Sequence, residues 1–273
     1  MPVTGASARR RAVRGRRPIA LMLPAVCALA FLLIPLIGLL VRAPWRTLPE
    51  RLFSAEVGQA LRLSLICATL ATGICLVLGI PLAWLLARAQ LPGRGLIRAL
   101  VTVPLVLPPV VGGVALLLVL GRRGLIGRYI YDWFGYSLPF TTAGVVVAEA
   151  FVAMPFLVIS VEGALRAADT RFEEAAATLG ASAWYTFRRV TLPSVLPGVV
   201  AGTVLCWARA LGEFGATITF AGNFPGKTTT MPLAVYLALE TDPDAAIVLS
   251  MVLLVVSVGV LISLRERWIR GAV

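Results

Sequence analysis

The sequence predicts an all-α integral membrane protein of about six transmembrane helices, with one polar helix–turn–helix projecting between two of them. Three observations carry that prediction. Hydrophobic residues make up 59% of the chain and charged residues only 14%, and the mean hydropathy is +0.91, too apolar for a water-soluble domain. Apolar runs of about 20 residues recur, the length a helix needs to cross a bilayer. The basic residues gather in short clusters beside those runs, as membrane-flanking anchors do. A formal net charge of +12 would by itself suit a nucleic-acid partner, but this clustering assigns the charge to the lipid surface instead. No low-complexity linker or internal repeat interrupts the chain. It reads as one membrane domain, residues 19–273, behind a basic cytoplasmic tail, residues 1–18.

The elements follow in order. Six arginines lie between Arg9 and Arg17, and an apolar run from Ile19 to Val41 comes next. That run is too long for a secretory signal and ends at Arg42 and Trp45 without a clear cleavage site, so it reads as a retained first span. Ser54 is placed to cap a helix leading into a second span, about Leu61 to Leu86. Arg88, Arg94 and Arg98 bracket a short turn containing LPGRG. The third span, about Leu100 to Leu120, carries Pro104, Pro108, Pro109 and Gly112–Gly113. Breakers this dense need neighbouring protein or a cavity to satisfy the freed backbone groups. A packed kink and a helix lining a pathway both remain open.

Residues Gly121 to Thr142 are too polar and aromatic to span and should lie at the interface as a short helix, with Tyr129, Tyr131, Trp133 and Phe134 at headgroup level. A fourth span, about Ala143 to Leu165, contains Glu149, a carboxyl group that is costly in a membrane without a partner. A fifth runs from about Leu196 to Leu211 and carries Arg209, with Glu213 one turn later. A polar segment from Asn223 to Asp244 leads to the sixth span, about Ala245 to Leu264, which ends at Arg265, Arg267 and Arg270. With the amino terminus inside, about 16 of the 25 Lys and Arg residues flank cytoplasmic ends, so both termini should be cytoplasmic.

The polar passage between the fourth and fifth spans, residues 169–193, is where chemistry concentrates. Thr170 and Glu173 have the spacing of a capping box, so a short helix should begin there. Glu174, Ala175 and Ala176 follow, with a low alanine surface that another backbone could approach. Gly180 suits a left-handed stop. Ser182 can cap a second short helix through Trp184, Phe187 and Val190, which Pro193 should end.

Glu174-Ala175-Ala176, Gly180, and Val190-x-Leu192-Pro193 match the E-A-A-x3-G-x9-[I/V]-x-L-P signature. The chain at these residues resembles the membrane subunits of ABC importers, whose cytoplasmic coupling loop carries that motif. Pro104 to Gly113, Gly121 to Gly135, Ala208 to Phe220 and Pro225-Gly226 with Met231-Pro232 are similar to the molybdate-permease branch; sulfate and tungstate permeases are similar too. The resemblance covers roughly Leu61 to the last span. It implies a type I importer permease fold and a multi-pass subunit of the cytoplasmic membrane that works as a homodimer. It also implies two cytoplasmic ATPase subunits and an extracytoplasmic oxyanion-binding protein as partners. In that setting Thr170, Glu173, Glu174, Ala175, Ala176, Gly180, Leu192 and Pro193 would couple the ATPase to the spans. Glu174 would be a contact residue and not a general base.

No catalytic residue is expected in the chain. Ala221 to Thr228 fits a loose phosphate-loop pattern, yet it lies between two spans, and Pro225 removes an amide where one is wanted. No nucleotide is therefore expected here; ATP and Mg would be used by the partner. Cys27, Cys67, Cys75 and Cys206 all lie in apolar runs, form no C-x-x-C pair and have no His beside them, so no metal site is expected.

For the pathway, a dianion needs donors milder than a fixed cation, because it must also be released. Thr217 and Thr219 are candidates for lining or gating. Arg209 could attract the anion, or it could form an ion pair with Glu213, or with Glu149, that locks two helices. A secondary transporter would need coupling-ion sites and usually an inverted repeat, and neither is evident; a membrane enzyme would need clustered His, Asp or Arg at the interface, whereas the chain has no His and its acids are scattered.

Overall fold

A computed structural model describes residues 19–89 and 92–270; the basic tail expected over residues 1–18 lies outside them. The chain divides into two compact units, Met1–Ala43 and Pro44–Val273. In the first, α1 (Ile19–Val41) is one continuous helix that holds Pro24 and Pro35 and turns side chains such as Leu23 and Phe31 outward. It matches the first expected span.

The second unit is built of helices joined by turns, with no strand among its described residues. After the short α2 (Leu48–Leu52) comes α3 (Ala55–Arg88), 34 residues long, whose start is fixed by Ser54 accepting a hydrogen bond from the Val57 amide at 3.3 Å. The third expected span is not one helix. It is two, α4 (Arg94–Val106) and α5 (Pro109–Leu120), bent by 116° at the break. Leu107 and Pro108 each precede a proline, which disfavours helical geometry, and both are extended, with ψ of 135° and 133°. Pro104, by contrast, stays inside α4.

The interfacial helix is α6 (Gly127–Phe134). Tyr129, Trp133 and Phe134 are exposed on it, and Tyr131 is half-buried. Next, α7 (Thr142–Ala167) is capped by Thr141, which accepts from the Gly144 amide. Two short helices follow, α8 (Arg171–Thr178) and α9 (Ala183–Thr186), then a π-helical segment, Phe187–Thr191, and α10 (Leu192–Ser194). Pro193 does not end the second helix of the polar passage, contrary to the sequence expectation. The helix widens to a π turn just before it, with Leu192 N bonded to Phe187 O, and so absorbs a proline that has no amide to donate. The break comes at Val195, followed by α11 (Leu196–Leu211) at 73°.

A short α12 (Gly215–Ala221) precedes an apolar helix, α13 (Met231–Thr241), inside the stretch expected to be polar loop. Only Asn223 to Thr230 of that stretch fits the expectation. The last helix, α14 (Pro243–Arg270), includes the sixth expected span. Among the described residues, four helices are long and apolar enough to cross a membrane, or up to six spans if each bent pair counts as one.

The main core lies where α7 packs between α3 and α11. Small residues let these helices approach closely. Gly198 and Gly202 on α11 face Ser160 and Ala164 on α7: a Cβ on Gly202 would fall 2.9 Å from the Ser160 Cβ, and one on Gly198 would collide with the Ala164 Cβ. The Ser160 hydroxyl donates to the Gly198 carbonyl at 3.2 Å across the same contact. Cys67, Cys75 and Cys206 fill this core, whereas Cys27 is exposed on α1. A second close crossing joins α12 to α5, where Gly113 meets Ala216 and Thr219, and Gly215 meets Pro109.

Candidate functional site

The polar passage folds as a helix–turn–helix, but its start is built differently from the sequence expectation. Thr170 has helical geometry (φ −71°, ψ −16°) and makes no side-chain cap. Asp169 takes that role, accepting from the Arg171 amide at 3.0 Å. The capping box therefore does not form, and Glu173 is released for other partners. Its Oε1 accepts from Arg88 Nη2 at 2.9 Å and from the Thr191 hydroxyl at 3.0 Å.

The stop of α8 is as expected. Gly180 is left-handed at φ +78°; its amide bonds to the Ala177 carbonyl, and the Ala181 amide to the Ala176 carbonyl, a Schellman closure. Ser182 then caps α9 by accepting from the Tyr185 amide at 3.3 Å.

No residue of α8 is buried. Glu174 and Ala175 are exposed and Ala176 is half-covered. Around them Phe172 (65% exposed), Leu179 (87%) and Trp184 (69%) stand out from the surface. Large apolar side chains concentrated on a polar hairpin are the composition of a docking face. On the inner side, Phe187 stacks on Trp184 at 5.7 Å between centroids and meets Trp84 of α3 edge-on at 6.3 Å. Leu192 is half-covered and Pro193 exposed. Beside this assembly, Glu162 of α7 is held by Arg98 of α4 at 2.5 Å and by Arg166 at 2.9 Å.

The second group of predicted residues lies around α12. Arg209 Nη2 is 2.5 Å from Glu213 Oε2, so the ion pair one turn along α11 forms. Glu213 is buried, and its Oε1 also accepts from the Ala216 amide at 2.8 Å, so it caps α12 as well as holding Arg209. Thr219 spends its proton on the Gly215 carbonyl at 2.8 Å. Thr217 is fully buried, and its hydroxyl makes no hydrogen bond among the described residues; the same holds for Glu149 Oε2 on α7. Glu149 lies within electrostatic reach of Glu213.

The phosphate-loop-like stretch is closed on itself. The amides of Lys227, Thr228 and Thr229 all point at the Phe224 carbonyl, and the Thr228 hydroxyl takes up the Phe224 amide. They form a tight turn and offer phosphate no cradle.

Sequence reasoning missed Arg88, Asp169 and the facing pairs Gly198–Ala164 and Gly202–Ser160. Asp169 could have been found as an Asx cap one residue upstream. The others depend on which helices pack together.

Comparison with known proteins agrees with this architecture. Residues 79–271 match the family described as the binding-protein-dependent transport system inner membrane component. The molybdenum transport system permease protein ModB of Mycobacterium tuberculosis is 49% identical over 247 residues, 90% of this chain and 92% of that protein. The sulfate transport system permease protein CysT of Escherichia coli is 37% identical over 237 residues, 85% of each. Among solved structures, a bacterial ABC transporter involved in import of the acidic polysaccharide alginate superposes with a TM-score of 0.73 over 92% of this chain and 94% of that one, at 19% identity, which is a likeness of fold. A bundle with broken helices, a protruding EAA hairpin and this match over most of its length place the chain in one family: it belongs to the binding-protein-dependent transport system inner membrane components.

Proposed function

We propose that this chain is the membrane subunit of an ATP-driven molybdate importer. The observation that carries the reading is the exposed α8–α9 face, where Glu174 and Ala175 sit among protruding Phe172, Leu179 and Trp184. A cytoplasmic ATPase subunit would seat itself there. Thr170, Glu173, Glu174, Ala175, Ala176, Gly180, Leu192 and Pro193 form or frame that dock. Two copies of the chain would make the pathway, two ATPases would bind inside, and an oxyanion-binding protein would deliver its cargo outside. Both termini would lie in the cytoplasm, in keeping with the arginine distribution. ATP and Mg belong to the ATPase; this chain makes and breaks no covalent bond.

In mechanism, closure of the ATPases on ATP would displace α8, and the bundle would open outward to receive the anion. Hydrolysis would return it to face the cytoplasm. Arg209, neutralised by Glu213, serves as a structural pair beside the pathway, with Thr217 and Thr219 on the helix that follows. Molybdate is favoured over sulfate because identity is higher to the molybdenum permease than to the sulfate permease. The test is ATP hydrolysis and uptake by the reconstituted complex, titrated with binding protein carrying molybdate, tungstate or sulfate. Stimulation by molybdate supports the assignment. Stimulation by sulfate alone overturns the anion, and uptake without an ATPase overturns the mechanism.

A further inference from the structure

We infer that Arg88, at the end of α3, is the positioning residue through which α8 moves the membrane bundle, acting by way of Glu173 and Thr191. This rests on the reading of α8–α9 as the motor's dock. A helix with no buried residue has little packing with which to push anything. Its main neighbours are α9, which has no buried residue, and the π segment, in which only Thr191 is buried. Beside the Phe187–Trp84 packing of the neighbouring π segment, the polar link that fastens it to the bundle among the described residues is one carboxylate oxygen. Glu173 Oε1 takes a hydrogen bond from Arg88 Nη2 at 2.9 Å and another from the Thr191 hydroxyl at 3.0 Å.

That oxygen therefore ties three elements together: α8, the end of the 34-residue α3, and the π segment four residues before the bend at Val195. The knot is sheltered. The Arg88 and Glu173 side chains are 16% and 23% exposed, and Thr191 is buried. Salt screens such a pair less than a surface one, and charge-assisted bonds are the stronger class. Among the described arginines nearby, Arg98 and Arg166 are committed to Glu162, and Arg94 donates to the Ala87 carbonyl, which leaves Arg88 to α8. Because α3 packs along both α7 and α11, a displacement of Glu173 reaches the core by a short route, and reaches the α10–α11 elbow through Thr191.

The test uses the full complex reconstituted with its ATPase and molybdate-loaded binding protein, reading basal ATP hydrolysis and molybdate moved per ATP. Neither Arg88 nor the Thr191 side chain lies on the docking face, so Arg88→Gln and Thr191→Val should hydrolyse ATP at the basal rate. Molybdate moved per ATP should fall at least fivefold in Arg88→Gln and about twofold in Thr191→Val. The charge swap Arg88→Glu with Glu173→Arg should recover most of the loss, which separates coupling from misfolding. Transport per ATP within twofold of wild type in Arg88→Gln overturns the inference alone, as does a swap no better than the single variant. A wild-type complex with no ATP-dependent uptake overturns the importer reading and this inference with it.

Discussion

Two glycine-to-alanine substitutions in the same bundle should shift stability in opposite directions. At Gly198 the added methyl would collide with the Ala164 Cβ, an atom fixed to the backbone of α7 that cannot rotate away. The helices must part, and overpacking of this kind costs about 1–3 kcal/mol. Parting them also stretches the Ser160–Gly198 hydrogen bond, worth about 0.6 kcal/mol between membrane helices. Against this, replacing Gly by Ala inside a helix gains about 0.5–1 kcal/mol. The net expectation for Gly198→Ala is a loss of about 1–3 kcal/mol.

Gly163, on α7, has open space where a methyl would project, with nothing within 4 Å of it, so Gly163→Ala should show only the helix gain, up to about 1 kcal/mol. Reversible unfolding in mixed micelles with a denaturing detergent measures both. Adding Ala164→Gly to Gly198→Ala should restore most of the loss. A Gly198→Ala protein at least as stable as wild type, or one indifferent to Ala164→Gly, would refute the packing argument.

Further outcomes follow from the same geometry. Glu174→Arg reverses charge on the exposed face of α8 and should abolish uptake while leaving the bundle as stable as wild type; normal uptake would mean the face is idle. The Arg51 guanidinium, bonded to Asp242 at 2.5 Å, holds that carboxyl below its ordinary value, helped by the Ala245 amide. Its contribution is therefore present above the unfolded-state value of about 3.8 and lost as pH falls through the lower folded value. Comparing Asp242→Asn with wild type from pH 7 to pH 3 should show a gap that closes only below pH 4. Arg98 gives Glu162 two guanidinium nitrogens and Arg166 gives it one, so Arg98→Ala should destabilise more than Arg166→Ala in the unfolding assay. The reverse order would show that the helical pair dominates.

Much of this was legible because the governing interactions are local. Long apolar runs located α1, α3, α7 and α14, and single residues set the caps at Ser54 and Ser182 and the stop at Gly180. Where local rules competed, the reading failed. Thr170 and Glu173 have the right spacing, but Asp169, one residue earlier, caps the Arg171 amide, and the Glu173 amide goes to the Thr170 carbonyl. Sequence alone makes Pro193 a terminator, because a π turn that makes room for proline has no signature in composition. The α13 helix stays hidden because an 11-residue helix, apolar over Met231 to Leu239 only, is too short to announce a span. Glu173 and Arg88 are 85 positions apart, and nothing in either neighbourhood names the other. Likewise, Gly198 and Ala164 become a pair only once α7 and α11 are side by side.

The abrupt turn at Leu107 and Pro108 has a consequence for what the membrane interior can offer a passing ion. A helix start ordinarily displays unused amides, and those amides attract negative charge. Here Pro108 and Pro109 supply none, and the amides of Val111 and Gly112 already turn back to the Pro108 carbonyl. That leaves at most the Val110 amide, one donor where an ordinary helix start shows several. The corner therefore turns the chain while offering a negative charge a weaker hold than an uninterrupted helix start would.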